Sequence, residues 1–257
     1  MKLGSAPGTS AGLIDLQIEV QGQLVWQSVQ AGARPVGLLE VLPVARHLCD
    51  QMIRRIRQPQ GGLADPIPCR RGCSACCHYL VPLGELEAID LLEQVLSLDP
   101  PGQQAVLGRF DQAVERIRQS ALPAAQPPEA PGAMEILSDW YLQLELPCPL
   151  LEDGQCILYA QRPLACREHL VASPAWTCHR PAASGAQPVE MPVSIAQTVM
   201  ELTSRLTGQP AQAVFLPLAL DWARRHSQLA ERTWPGGKVF STLARILSSG
   251  VQQARSL

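Results

Sequence analysis

Apolar and polar residues alternate from Ile14 to Val29: Ile14, Leu16, Ile18 and Val20, then Gln-Gly-Gln, then Leu24, Trp26 and Ser28. A period of two on both sides of a glycine-bearing turn predicts a β-hairpin. From Pro43 to about Gln58 the period lengthens. Val44, His47, Leu48, Met52, Ile53 and Ile56 share one helical face, and Pro43 suits the first turn. Leu83 to Leu98 reads as an amphipathic helix that "DPPG" stops, and a second helix is expected from Gln103 to about Gln119.

The proline-rich connection Leu122 to Gly132 is assigned no regular structure. Met134 to Leu144 predicts one more short helix. "EDGQ", between the apolar runs "PLL" and "CILY", predicts a small hairpin. The helical pattern returns in "VSIAQTVMELTSRLTG", which ends at Gly208 as a C-cap, and in "AVFLPLALDWARRH" and "KVFSTLARILSSG". The expected class is mainly α with small β-hairpins, an irregular metal-centred cysteine-cluster core being flanked by helices.

Composition narrows the class of function. A net charge of −2 gives no general pull toward nucleic acid or anionic membrane, and 4% aromatic residues offer little base-stacking surface. "MKLGSAPGTSAG" lacks a signal-like apolar run, and "AVFLPLAL" is too short to span a bilayer. The expectation is a cytoplasmic protein without nucleic-acid or membrane partners, for which a protein partner stays open. There are no phosphate-loop, dinucleotide-binding, nucleophile-elbow or H-E-x-x-H motifs.

Chemistry concentrates in cysteine. Eight of the nine fall into two groups: Cys69, Cys73, Cys76 and Cys77, then Cys148, Cys156, Cys166 and Cys178. In a reducing compartment such density points to metal rather than disulfides. Were the first group helical, at about 100° per residue, Cys69, Cys73 and Cys76 would share a face with Cys77 at its edge. A tight loop through Gly72 is the alternative. In either case Cys76 and Cys77 are not equivalent ligands of one compact ion: they serve different centres, or one lies just outside the ligand set. Thiolate-rich sets select zinc or iron–sulfur clusters. The Cys-x3-Cys-x2-Cys-Cys spacing favours iron–sulfur, because each thiolate has only to reach one corner of a cluster. Zinc, usually held by Cys-x2-Cys knuckles, is the alternative.

Arg70, Arg71, His78, Arg162, Arg167, His169, His179 and Arg180 interleave with the cysteines. Cations beside ligating sulfurs offset the negative charge of a four-thiolate centre. Arg162 and Arg167, which bracket Cys166, are the first candidates to line the cofactor. His78 and His179 are candidate replacements for a thiolate. Cys49 is read as a packed core thiol, and Arg54 to Arg57 as a solvated stripe.

"CRRGCSACC", "CPLLEDGQCILYAQRPLACR" and the final Cys178 together resemble the YkgJ-type cysteine-cluster family. Its pattern is Cys-x2/3-Cys-x2-Cys-Cys, then Cys-Pro-Leu, a Gly-x-Cys turn and Arg-Pro-x-x-Cys-Arg. The matching positions are Cys69, Cys73, Cys76, Cys77, Cys148, Cys156, Arg162, Pro163, Cys166 and Arg167. The resemblance covers about Cys69 to Cys178 and implies zinc or iron chelation, often as iron–sulfur. It says nothing about residues 1–60 or 186–257, so the chain is read as an N-terminal hairpin and helix extension (1–60), a cysteine-cluster domain (61–185) and a C-terminal helical region packed on it (186–257). A flagellin lysine methylase carries a similar cluster, which keeps a protein-modifying enzyme open. "CRRGCSAC" also has radical S-adenosylmethionine spacing, but Ala75 stands where that class has an aromatic, and the helical, proline-broken sequence does not suit a β/α barrel.

The expectation is a metal-binding protein with one or two iron–sulfur centres, most simply [4Fe–4S], serving redox sensing or electron transfer. The alternatives are a zinc-stabilised structural or interaction module and a cluster-assisted protein-modifying enzyme. No catalytic acid–base pair stands out.

Overall fold

The computed structural model describes residues 12–58, 67–123, 132–179 and 185–254. The protein is mainly α, with four two-stranded antiparallel sheets among the described residues. The N-terminal alternation forms strands β1 (Leu13–Val20) and β2 (Gln23–Gln30). Gln21 and Gly22 take φ of +51° and +75°, the left-handed pair of a turn whose twist matches the strands. A two-residue turn fixes the register, pairing Ile18 with Val25 and Leu16 with Gln27. Opposed side chains share a face. Val25 therefore joins Leu16, Ile18 and Val20 in the core, and the alternating set beginning Leu24 and Trp26 faces outwards.

Strand β3 (Pro35–Gly37) leads into helix α1 (Val41–Ile56), with Pro43 in its first turn as expected. Leu48, Cys49 and Met52 are buried, but His47 is exposed rather than on the packed face. Strand β4 (Pro82–Gly84) precedes α2 (Glu85–Leu96). Helix α3 (Pro100–Gln119) starts three residues before the predicted Gln103. "DPPG" is thus a helix start as well as a stop: Asp99 is the N-cap, and a proline at the first helical position lacks only an N–H that would be unpaired anyway. Helix α4 (Ala133–Gln143) and the hairpin of β5 (Leu151–Glu152) and β6 (Gln155–Cys156) follow as read. Residues 124–131 of the proline-rich connection lie outside the described residues.

Helix α5 (Leu164–Glu168) is short, and α6 (Ile195–Thr207) ends on the left-handed Gly208. In "AVFLPLALDWARRH" the first three residues are strand β7 (Ala213–Phe215), which pairs with β4, and only Ala219–Arg225 is α-helical, as α7. Helix α8 (Gln228–Glu231), strand β8 (Thr233–Pro235) and α9 (Gly236–Ala254) complete the order, with β8 paired to β3.

Two large hydrophobic cores form among the described residues. The first packs the inner face of β1–β2 against α1, α6 and α9, through Leu16, Leu42, Met52, Leu202 and Leu243. The second holds Leu91, Val95, Phe110, Leu150, Leu216 and Leu220 from α2, α3, the second cysteine segment, α7 and the turn just before α7. Helix α2 runs between them, Leu86 in the first and Leu91 in the second. Such a helix is enclosed nearly all round, so its polar residues need partners. Buried Asp90 takes Arg46 at 2.5 Å, and buried Glu87 accepts the Leu164 N–H at 2.7 Å.

Candidate metal centre

The two cysteine groups converge between these cores, and all nine cysteines are free thiols. The first group is a loop followed by a tight turn, not an α-helix. Gly72 takes φ +88°, which lets the chain reverse so that Cys73 N–H donates to Arg70 O at 2.9 Å. Residues Ala75–His78 then make one 3-10 turn, with Cys77 N–H donating to Ser74 O. Its entrance is anchored by Arg57, whose guanidinium donates to the carbonyls of Ile67 and Cys69. Arg57 is therefore a clamp on the first cysteine and not part of a solvated stripe.

The second group is carried by three braced pieces. Cys148 N–H donates to Cys77 O at 2.6 Å, fastening the groups together through the backbone. Cys156 ends the β5–β6 hairpin, whose turn uses left-handed Asp153 and Gly154. Arg109 of α3 holds that hairpin through Pro149 O at 2.8 Å and Glu152 at 3.0 Å. Cys166 lies on α5, fixed at its start by Glu87. At its end, Glu168 accepts from the N–H of Ile195 at 2.5 Å and the hydroxyl of Ser194 at 2.8 Å.

Six thiols, those of Cys73, Cys76, Cys77, Cys148, Cys156 and Cys166, line one cavity of about 220 Å³. Leu80, Val81, Leu150 and Leu216 make its wall largely apolar. Cys69 and Cys178 do not reach it. They pack beside Cys73 with Ala75 and Val171, where Val171 N–H points to Cys69 Sγ at 3.5 Å and the Tyr79 hydroxyl donates to Cys178 O. Among the described residues no three Cys, His, Asp or Glu side chains are drawn together tightly enough for a single metal ion. The thiols surround a space.

Burial raises the thiol pKa of Cys69, Cys156, Cys166 and Cys178, and takes Cys148 to about 12. Cys76 moves the other way, to about 7, because Cys77 donates a hydrogen bond to it; burial opposes the shift and Arg162 assists it. Cys77 is raised as the partner that keeps the proton.

The candidate cations divide. Arg162 lines the cavity with its guanidinium over the Tyr159 ring at 4.2 Å. Arg167 is buried and turned away, to Asp50 at 2.5 Å and to the carbonyls of Arg162 and Ala160. Arg70, Arg71 and His78 are exposed. Arg180 and the side chain of His179 lie outside the described residues. His169 does line the cavity, edge-on to Tyr79 at 5.4 Å between centroids; the residue is partly open to solvent, and burial of the ring lowers its pKa. Tyr79 and Tyr159 were not readable as wall residues, since their only sequence signal is proximity to a cysteine.

No helix among the described residues is long and apolar enough to cross a membrane. No protein-family model matches the chain, and neither a curated protein nor a solved structure matches it.

Proposed function

We propose that the chain is a metalloprotein whose cysteine groups hold thiolate-ligated iron as iron–sulfur, used for electron transfer or redox sensing. The observation that carries this reading is the six-thiol cavity, assembled from segments about seventy residues apart in the chain. The donor set fits the group. Soft thiolates select iron–sulfur or zinc. A tetrahedral zinc needs four donors at about 2.3 Å from one point, whereas a cluster lets each sulfur stand at its own corner. Thiols spread round a cavity suit the second arrangement, and so does the resemblance of the cysteine pattern to the YkgJ-type family.

When bound, such a cluster supplies one-electron oxidation and reduction. The chain's own residues divide the remaining tasks. Cys73, Cys76, Cys77, Cys148, Cys156 and Cys166 supply donors, and His169 stands at the same wall. Leu80, Val81, Leu150 and Leu216 keep water from the sulfurs. Arg162, stacked on Tyr159, places positive charge beside an anionic centre and so raises its potential.

The test is anaerobic purification with metal and acid-labile sulfide analysis. Brown protein that contains both iron and sulfide and bleaches with dithionite upholds the reading. Colourless protein with stoichiometric zinc replaces it with a zinc-stabilised module.

A further inference from the structure

We infer, on the reading proposed above, that the side of the centre framed by Arg70, Arg71, Tyr159 and Arg162 is the docking face for an acidic protein that exchanges electrons with it.

Charge marks the face first. The chain has 23 Asp and Glu residues and a net charge of −2, yet residues 67–82, 156–167 and 169–178 contain neither acid. Glu168, which interrupts them, is committed to Ser194 and Ile195 at the start of α6. Glu152 and Asp153 lie at the tip of the β5–β6 hairpin, and Arg109 takes Glu152. Arg70 and Arg71 stand exposed on the loop between Cys69 and Cys73. The ion pairs among the described residues leave Arg70, Arg71 and Arg162 without a carboxylate. Carboxylates of a partner would supply the missing negative charge.

Geometry connects this face to the centre. The Arg71 guanidinium lies over the Tyr159 ring at 5.9 Å from its centroid, and Arg162 lies over the same ring at 4.2 Å. Tyr159 and Arg162 both line the six-thiol cavity. A carboxylate seated on Arg71 is therefore one aromatic ring away from the sulfurs. Electron-transfer encounters use small interfaces, and local charge is enough to steer them.

Composition favours a protein as the occupant. Trp176 is 68% exposed. Its turn, Ala175–His179, is tied to the Cys76–Cys77 turn by the Tyr79 hydroxyl, which donates to Cys178 O. Cys178 packs with Cys69 and Cys73, the two cysteines that flank Arg70 and Arg71. Exposed tryptophan near arginine and tyrosine is the make-up of protein-interface anchors. A nucleic-acid face calls for a broader basic stripe, and these three stretches contain no lysine.

The test follows oxidation of dithionite-reduced, desalted protein by an anion, hexacyanoferrate(III), and by a cation, hexaammineruthenium(III). In wild type, added salt should slow the anionic oxidant and speed the cationic one, the reverse of what a net charge of −2 alone would give. This readout needs no variant. Arg70→Glu with Arg71→Glu should slow the anionic oxidant about tenfold at low salt and leave the cationic one no slower, with metal content and circular dichroism unchanged. A changed centre would move both oxidants together. Poly-L-glutamate should protect wild type from hexacyanoferrate(III) but not the charge-reversed variant. Equal effects on the two oxidants, or a wild-type salt dependence with the sign of the net charge, would overturn the docking face and leave the metalloprotein reading standing. Stronger protection by an RNA oligonucleotide of equal charge would give the face to nucleic acid and overturn the acidic partner. Metal-free wild type would overturn the reading beneath as well.

Discussion

The amide of Cys148 donates to the carbonyl of Cys77 at 2.6 Å, and this main-chain contact joins the first cysteine group to the second. A site closed by backbone as well as by sulfur tolerates loss of a thiol in the fold better than in the metal. Cys73→Ser and Cys166→Ser should therefore lower bound metal by at least about half, one corner being lost from a cluster, while circular dichroism keeps its helical signal. Cys49→Ser is the contrast. Cys49 is fully buried on α1, in the first core. The variant should keep wild-type metal per folded chain but lose about 1–3 kcal/mol of stability, because a hydroxyl there is buried without a designed partner. Elemental analysis paired with urea denaturation checks both halves.

The elements legible in the sequence were those whose periodicity is local. The helices α1, α2, α4, α6 and α9 and both hairpins repeat an apolar stripe or a turn signature that needs no knowledge of the rest of the chain. Strands β3, β4, β7 and β8 are three residues each and gain their hydrogen bonds from partners that lie about 130 to 200 positions away in the sequence, so nothing within a short window marks them. The site divides in the same way. Cysteine spacing identified the thiols, because ligand chemistry is a property of residue type. Arg167 was read as a cofactor neighbour from its adjacency to Cys166, but adjacent residues on a helix face different ways, and this one turns to Asp50. Arg57 was missed as a clamp because its contact with Cys69 spans a segment without periodicity.

Arg167 should matter through its carbonyl partners more than through its ion pair. Its guanidinium is buried, whereas Asp50 is 41% exposed and can be solvated alone. Asp50→Asn keeps an oxygen acceptor for the buried guanidinium and should cost about 1–2 kcal/mol. Arg167→Met leaves the carbonyls of Ala160 and Arg162 without their donor and should cost about 2–4 kcal/mol, counting about 1–3 for each buried acceptor left unpaired and allowing for partial relaxation. Equal losses in the two variants, measured by urea denaturation, would show that the ion pair dominates.

Glu168 connects the cysteine helix to the first core by capping a different helix. Its carboxylate takes the N–H of Ile195 and the hydroxyl of Ser194 at the start of α6, and Ser194 itself accepts the Gln197 N–H at 3.2 Å. Glu168→Ala removes the acceptor from a helix start whose N–H groups have no partner within the helix, and should cost about 1–2 kcal/mol. Ser194→Ala should cost about 1 kcal/mol. The double variant should fall short of the sum, since each residue bonds the other; a fully additive double variant, measured by thermal or urea unfolding, would separate the two caps.

Gly72 tests whether backbone geometry alone sets the spacing of the first two cysteines. A β-carbon at this position meets no atom within 4 Å, so a substitution there encounters no steric obstacle. Its φ of +88° is the difficulty, since it lies where side-chain-bearing residues are disfavoured. Gly72→Val should lower stability by about 1–2 kcal/mol, and Gly72→Asn by less, because asparagine enters left-handed conformations more readily. The turn sits between Cys69 and Cys73, so the valine variant should also hold less metal than the asparagine variant under the same loading conditions. Identical stability and metal content in the two would mean that the turn does not depend on positive φ, and the loop geometry derived for the first cysteine group would have to be abandoned.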